Sequence, residues 1–396
     1  MRLLKIFIQD MPRFKGNIDI DFITKQRVAE DDQEKLFNTF SNNYTSIYTN
    51  QAISFIGLNA SGKTTILKAI SFVINLLNNE ALNNIKSKEI LNDLSDNEKV
   101  KITSFFYNDN SVYKLETHIE KRVNQVDNES KLIITEERLW EKDATKVKTK
   151  KSLFEFNDSD IRIERNEKEQ FLLNDVSVMI AINKEKQSNF PLRDMLMWTN
   201  HNMLNILGKF PKELLTFLDP SIEYFKCDIR KKPADIRLKF YESEEIILNN
   251  PSEIEKYLSS GTIKGINVFM NALLCFMEGG YLIVDELENH FNEEIVTTLV
   301  RFFMNPNVNR NGATLIYSTH YSELLDEYDR NDCIYIVRNR GGIYTENLSL
   351  ILKDIKKSEA YESGYLEGTV PIYESYMALK KVLSSVRIEG DEGDDD

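Results

Sequence analysis

The stretch Gly57-Leu58-Asn59-Ala60-Ser61-Gly62-Lys63-Thr64-Thr65 constrains this chain more than any other. It has the spacing of a phosphate-binding P-loop: glycine, four residues, then Gly-Lys-Thr. Ala52 to Ile56 before it is a short apolar run that reads as a buried strand. From Thr65 to Leu77, Ile66, Leu67, Ile70, Val73, Ile74 and Leu77 recur at helical spacing. A strand, a glycine-bounded loop and a helix in that order aim free backbone N–H groups and a helix dipole at an anion. Gly57 and Gly62 let the chain curl close to phosphate, and Asn59, Ala60 and Ser61 supply loop amides. Lys63 is placed to reach the β- and γ-phosphates. Thr64 is placed to ligate Mg²⁺, and Thr65 to bond the α-phosphate.

The 396 residues are 41% hydrophobic and 29% charged, enough for a large core beneath a polar surface. The net charge of −13 argues against broad non-specific binding to nucleic acid, though a local basic patch stays possible. Residues 389–396 carry much of the excess and read as a disordered, solubilising tail. Cys227, Cys275 and Cys333 are scattered among apolar neighbours, without metal-ligand spacing or a disulfide framework, which points to a reducing cytoplasm. The longest apolar stretch, Val268 to Met277, is too short to span a bilayer.

In chain order, Leu3 to Ile8 and Asn17 to Phe22 read as a hairpin, and Ala29 to Asn50 as a polar loop with some helix. Leu76 to Asn97 reads as a helical excursion. Three β-like runs follow, Val100–Tyr107, Ser111–Glu120 and Lys131–Glu141, with turn signals at Asp109-Asn110 and Asp127-Asn128. Val176 to Ile182 is expected to be a strand, and Phe190 to Leu218 to be helical, with a Met/aromatic stripe that includes Trp198, Ile206 and Leu207. Ile222–Ile229 and Ile236–Tyr241 alternate like strands. Helices are expected from Ser260 to about Met277, near Glu293–Phe303, Leu350–Lys357 and Ile372–Val386, with strands at Tyr281–Val284, Ala313–Ser318 and Cys333–Val337. The fold class is α/β: a mixed sheet with a P-loop core, an antiparallel β subdomain and an inserted, mostly helical lobe. The segments are 1–185, 186–257, 258–388 and the tail 389–396. Residues 63–257 hold no sustained heptads, so no long coiled coil is expected.

The C-terminal half carries three further signals. Asp285-Glu286 ends the apolar strand Tyr281–Val284, so Asp285 can hold Mg²⁺ through water while Glu286 acts as general base. His320 ends a second strand, where ligand groups gather in α/β sheets, and can bond the γ-phosphate. Leu258-Ser259-Ser260-Gly261-Thr262 opens a helix and offers a second anion-binding N-terminus, unless Ser259 is an ordinary cap. With one phosphate cradle already at the P-loop, a second one makes sense facing the nucleotide of another copy.

In that order, these motifs resemble ATPases of the ABC class, within its SMC-like, RecF-like and OLD-like branch. By that resemblance, Ser259 and Gly261 contact ATP in trans as signature residues. Asp285 and Glu286 form Walker B, Asn289 and His290 lie in a D-loop at the dimer seam, and His320 is the switch histidine. Lys63, Glu286 and His320 form the expected catalytic set, with Gln187 the candidate Q-loop glutamine at Mg²⁺. Thr262 stands where many relatives have Gln or Glu, and Asp285 to Phe291 lacks the proline of transporters. Both forms are similar to stand-alone ATPases of bacterial anti-phage systems of the PARIS, Septu and abortive-infection L type, as is, less specifically, Tyr365 to Pro371.

The resemblance implies a slow cytoplasmic ATPase using ATP and Mg²⁺, a head-to-tail homodimer or higher oligomer, and no membrane. No effector chemistry is evident in the chain, so the expected role is a sensor or scaffold for a separate nuclease or toxin. Two alternatives stand beside it. One is a RecF-like repair ATPase that binds DNA through Lys142–Lys151 or Lys226–Lys239. The lysines of the first window have no interleaved aromatics, which favours a solvated loop. The other is a structural module braced by permanent ATP, in which Glu286 would have no role.

Overall fold

The strand Ala52–Ile56 is buried at every residue, as a strand covered on both faces must be. In the computed structural model, described for all residues except 97, 124–129, 166–171, 199–202, 206–207, 229–233, 352–354, 371–372 and 386–396, it lies inside the sheet that carries the site. In chain order the strands are β1 Arg2–Gln9, β2 Ile18–Asp21, β3 Phe37–Ser41, β4 Ser46–Thr49, β5 Ala52–Ile56, β6 Lys99–Asn108, β7 Ser111–Val123, β8 Ser130–Asp143 and β9 Ile161–Glu164. They continue as β10 Leu192–Asp194, β11 Gly208–Lys209, β12 Ile222–Asp228, β13 Asp235–Phe240, β14 Ile246–Leu248, β15 Tyr281–Val284, β16 Thr314–Thr319, β17 Ile334–Asn339 and β18 Ile343–Asn347. The α-helices are α1 Lys63–Leu77, α2 Met179–Lys186, α3 Lys212–Leu218, α4 Ser260–Glu278, α5 Glu293–Met304, α6 Lys357–Glu362 and α7 Tyr373–Ser385.

The site sheet runs β10-β15-β16-β5-β17-β18, parallel except for the last strand. Alternate side chains of β5 enter different cores, because strand side chains alternate between faces. Ile53 and Phe55 face α1 and the antiparallel sheet β2-β1-β6-β7-β8-β9, while Ala52 and Ile56 face α4 and α5. Helix α1 thus lies between two sheets, with Ile66, Leu67, Ile70, Val73 and Leu77 buried. Each such burial contributes about 1.5–3 kcal/mol.

The expected α/β fold, with its mixed sheet, P-loop core and antiparallel β subdomain, is present. The hairpin β1–β2 and the meander β6–β7–β8 match the expected runs. Several local expectations need correction. Val176–Ile182 is not a strand but the approach to α2 and its first turn. The buried Glu137 carboxylate accepts from the Ser177 hydroxyl at 2.8 Å and the Val178 N–H at 2.7 Å, and pins the start of that helix.

Among its described residues, Phe190–Leu218 is α-helical only at α3, with a 3-10 turn at Leu196–Trp198. Leu192–Asp194 instead joins the edge of the site sheet beside β15, and the Met195 N–H donates to Ile283 O at 2.9 Å. Pro191 and Pro211 interrupt any continuous helix there. The inserted lobe, expected to be mostly helical, is built on the four-stranded sheet β11-β12-β13-β14 with its own core around Phe225, Ile236, Leu238 and Ile263. Within Ala29–Asn50 the hairpin β3–β4 replaces loop. Helix α1 ends at Leu77, and among the described residues of the excursion expected over Leu76–Asn97 the one further helical stretch is the 3-10 segment Lys86–Leu91. Of the described residues in Leu350–Lys357, Leu350 closes a 3-10 turn and only Lys357, the first residue of α6, is α-helical. Asp127-Asn128, Ile206, Leu207, Ile229, Pro371, part of Lys226–Lys239 and the tail 389–396 lie outside the described residues.

The basic window 142–151 holds structure together. Lys142 donates to the carbonyls of Ser152 (2.6 Å) and Glu155, and Lys150 to those of Thr24 (2.6 Å) and Gln26 (2.8 Å). Burial pushes the Lys142 ammonium down to about 8. An unfolded lysine titrates near 10.4. Between these values the unfolded chain binds more protons, so the Lys142 contribution makes stability rise with pH. Lys142→Met is expected to remove that rise. Urea midpoints of both proteins at pH 7.5 and 9.5 measure it, and an unchanged pH difference would refute it.

Candidate functional site

Gly57 directly follows β5, where the parallel neighbour β17 runs close alongside. A Cβ at Gly57 would stand 2.2 Å from Val337 O, so only glycine fits. Gly62 has φ +101°, the left-handed region open to glycine, and a Cβ there would meet the Ile343 side chain at 2.6 Å. The loop closes onto the first turn of α1, whose free amides face the concavity. Asn59, Ala60, Ser61, Gly62, Lys63, Thr64 and Thr65 line an open cavity of about 760 Å³ with Glu286 and His320.

Two features of the loop fit an anion. The Ser61 hydroxyl is buried and has no hydrogen-bond partner. The buried Lys63 ammonium donates to Gly57 O at 2.9 Å and Leu58 O at 3.1 Å, folded back over its own loop. Burial lowers the Lys63 pKa, opposed by Asp285, Glu288 and Glu286. A bound phosphate would add counter-charge directly beside this lysine.

Parallel pairing of β5, β16 and β15 brings the second half of the chain to the loop. The Thr64 hydroxyl donates to Asp285 Oδ2 at 2.6 Å. Ser318, in β16, donates its hydroxyl to Asp285 Oδ1 and accepts the Glu286 N–H at 2.7 Å. One serine therefore holds the Asp285 carboxylate and the Glu286 backbone. Thr64 and Asp285 are the hard oxygen donors that would hold Mg²⁺, an ion that prefers few protein ligands plus water and phosphate oxygens. Ser318→Ala leaves the Glu286 N–H without this partner, and a loss of about 1–3 kcal/mol in unfolding free energy is expected. Denaturant melts of the two proteins test this, and equal midpoints would contradict it.

His320 lies just past β16, and its N–H donates to Glu288 Oε1 at 2.6 Å. Burial first, then the Lys63 charge, lowers the imidazole pKa, so the ring is neutral at pH 7. A neutral ring can donate from one nitrogen and accept at the other. Glu288 is itself buried, and its Oε2 has no hydrogen-bond partner.

Ser259 and Gly261 do not line this cavity. Ser259 caps α4, its Oγ accepting the Thr262 N–H at 3.0 Å. Gly261 packs against the loop after β15: a Cβ there would lie 2.5 Å from His290 O. Ser260 Oγ is 3.3 Å from His290 Nδ1, and the Asn289 N–H donates to Glu286 O at 2.9 Å. Gln187 caps the C-terminal end of α2 with φ +47° and is not among the residues lining the cavity.

Four contributors were not foreseen. Ser318 and Glu288 support the acids and the histidine. Arg13 and the β17–β18 turn at Asn339, Gly341 and Gly342 line the cavity on the side away from Glu286's strand. Arg13 has φ +67°, is ion-paired with Asp93, and its loop is tied to β18 through the Phe14–Ile343 bridge. Glu288, two residues after Glu286 in an acidic run, carried no signal that sets it apart from an ordinary polar residue.

The model of the family described as "AAA domain, putative AbiEii toxin, Type IV TA system" matches residues 53–326. That span runs from β5 through the P-loop, α4 and Asp285 to just beyond His320. No curated protein matches the chain.

Proposed function

The chain belongs to this family of AAA-domain, ABC-like P-loop ATPases, and from that premise we propose that it binds ATP with Mg²⁺ and hydrolyses it in a head-to-tail pair. The hydrogen-bonded chain Thr64–Asp285–Ser318–Glu286 carries this reading, because it fixes the phosphate loop, the metal-binding oxygens and a carboxylate around one cavity. Bound Mg²⁺ would neutralise phosphate charge as it develops.

The protein's own groups do the rest. Loop amides and Lys63 bind and orient the β- and γ-phosphates. Glu286, which lines the cavity, accepts a proton from water as the new O–P bond forms and the bond to the β–γ bridging oxygen breaks. His320 holds the γ-phosphate or the water through its neutral ring. The products are ADP and inorganic phosphate.

Ser259 and Gly261 are absent from the lining of their own cavity, which supports a role across the pair. There, the N-terminus of the 19-residue α4 would meet the partner's γ-phosphate. The closed pair would then act as a sensor or scaffold that controls a separate nuclease or toxin in anti-phage defence. The toxin–antitoxin wording of the family description supports that context. Among the described residues no helix is long and apolar enough to cross a membrane.

Mass photometry of wild type and Glu286→Gln, with and without ATP and Mg²⁺, tests the pair. A larger species that the mutant forms only with ATP is expected. If the mass of neither protein changes with ATP, and neither is already large without it, the trans role of Ser259 and Gly261 is overturned.

A further inference from the structure

Lys264 stands in the second turn of α4, and only 6% of its surface is exposed. Its Nζ donates to Glu286 O at 3.0 Å and lies 5.4 Å from the centre of the Phe291 ring. A buried ammonium needs compensation, and here Glu288, Glu286 and Asp285 supply opposite charge. Burial still pushes its pKa down to about 8. A side chain kept in such a place at the expense of desolvation is held for what it contacts.

What it contacts is strained. Glu286 has φ +44°, a left-handed conformation that a glutamate rarely adopts and that surroundings must enforce. Two sides enforce it. From the sheet, Ser318 Oγ accepts the Glu286 N–H. From α4, Lys264 binds the Glu286 carbonyl, which also accepts from Asn289 N–H at 2.9 Å. The same end of α4 touches the following loop twice more, through Ser260 with His290 and through the close pass of Gly261 over His290 O. The N-terminus of α4, the loop 286–291 and the backbone of Glu286 therefore form one clasped unit.

We propose that Lys264 is a positioning residue for hydrolysis, tying the serine–glycine end of α4 to the backbone that aims the Glu286 carboxylate. The inference rests on Glu286 being the base and on the α4 N-terminus facing a second copy. Movement of α4 as that copy's nucleotide arrives would then reach Glu286 directly, without passing through the P-loop. Binding of ATP, which uses the loop and α1, would be independent of Lys264.

Steady-state ATP hydrolysis by Lys264→Met, Lys264→Arg, Glu286→Gln and wild type tests the clasp, with mass photometry of Lys264→Met in the Glu286→Gln background. In Lys264→Met, kcat is expected to fall about 10- to 100-fold, the scale of a misaimed catalytic group. KM for ATP and the ATP-dependent mass shift are expected to stay as they are without the change, and Lys264→Arg to recover most of the lost kcat. A merely structural cation would not separate kcat from KM. Wild-type kcat in Lys264→Met beside an inactive Glu286→Gln overturns this inference alone. So does a loss of kcat that arginine does not recover, or one accompanied by loss of the mass shift. Undiminished turnover in Glu286→Gln overturns the base assignment and the inference with it. Should Lys264→Met fail to fold, Lys264→Gln, too short to reach Glu286 O, is judged by the same outcomes.

Discussion

Glu286→Gln is expected to lower ATP turnover by about 10²–10⁴-fold, the usual contribution of a positioned general base. The amide keeps the size of the side chain but cannot take a proton at neutral pH. Its backbone anchors, the Ser318 hydroxyl and the Lys264 ammonium, touch only the N–H and carbonyl of residue 286, so the geometry survives the change. Nucleotide affinity is therefore expected to stay within a few-fold of wild type, because Lys63 and the loop amides bind the phosphates. Phosphate release under saturating ATP and a fluorescent-nucleotide titration give the two numbers. A mutant that turns over at the wild-type rate would remove Glu286 as the base. In that case Glu288 would not replace it, since it is buried and does not line the cavity.

Gly261→Ala has a large expected effect at a distance from the P-loop. The added methyl would stand 2.5 Å from His290 O, and that atom is backbone with little freedom to yield. Either the first turn of α4 or the loop 286–291 must move. Under the trans reading both surfaces belong to the seam between copies, so the ATP-dependent pair should be lost. Turnover should then fall by about 10²-fold, as the site would be incomplete in a single copy. Nucleotide binding by the separated copies should persist, because Gly261 takes no part in the phosphate loop. Ser260→Ala, which adds no bulk, is the control and should pair normally. If Gly261→Ala pairs and turns over like wild type, the seam lies elsewhere.

The same site explains why some residues were legible early and others were not. The P-loop could be read because its function is local: consecutive amides, two glycines at fixed spacing and a lysine all lie within one turn of chain. Asp285, Glu286 and His320 were legible because a parallel strand ends where ligands collect, and a short apolar run followed by an acid or histidine marks such an end. Ser318 and Glu288 are different. A serine in a strand and a second glutamate in an acidic loop look like ordinary polar residues until β16 and β15 are paired in register. The Glu286 N–H then falls on Ser318 Oγ, and the His320 N–H on Glu288. Arg13 entered the cavity only when its loop was tied to β18. Two of the corrected segments, Leu192–Asp194 and Val176–Ile182, share one cause: for short apolar runs, periodicity is ambiguous between strand and helix. Leu192–Asp194 became a strand because the edge of β15 was open to it, and Val176–Ile182 was drawn into α2 by the buried Glu137.

Local order alone was enough to read the α/β class and to single out the proposed phosphate cradle and its acids, because each depends on neighbours along the chain. The aim of those acids depends on long-range pairing, since the strained backbone of Glu286 is held by a serine from one strand and a lysine from one helix, both distant in sequence. Hydrogen bonds of that kind have no signature in composition or spacing, and they form only when the sheet and α4 close around them.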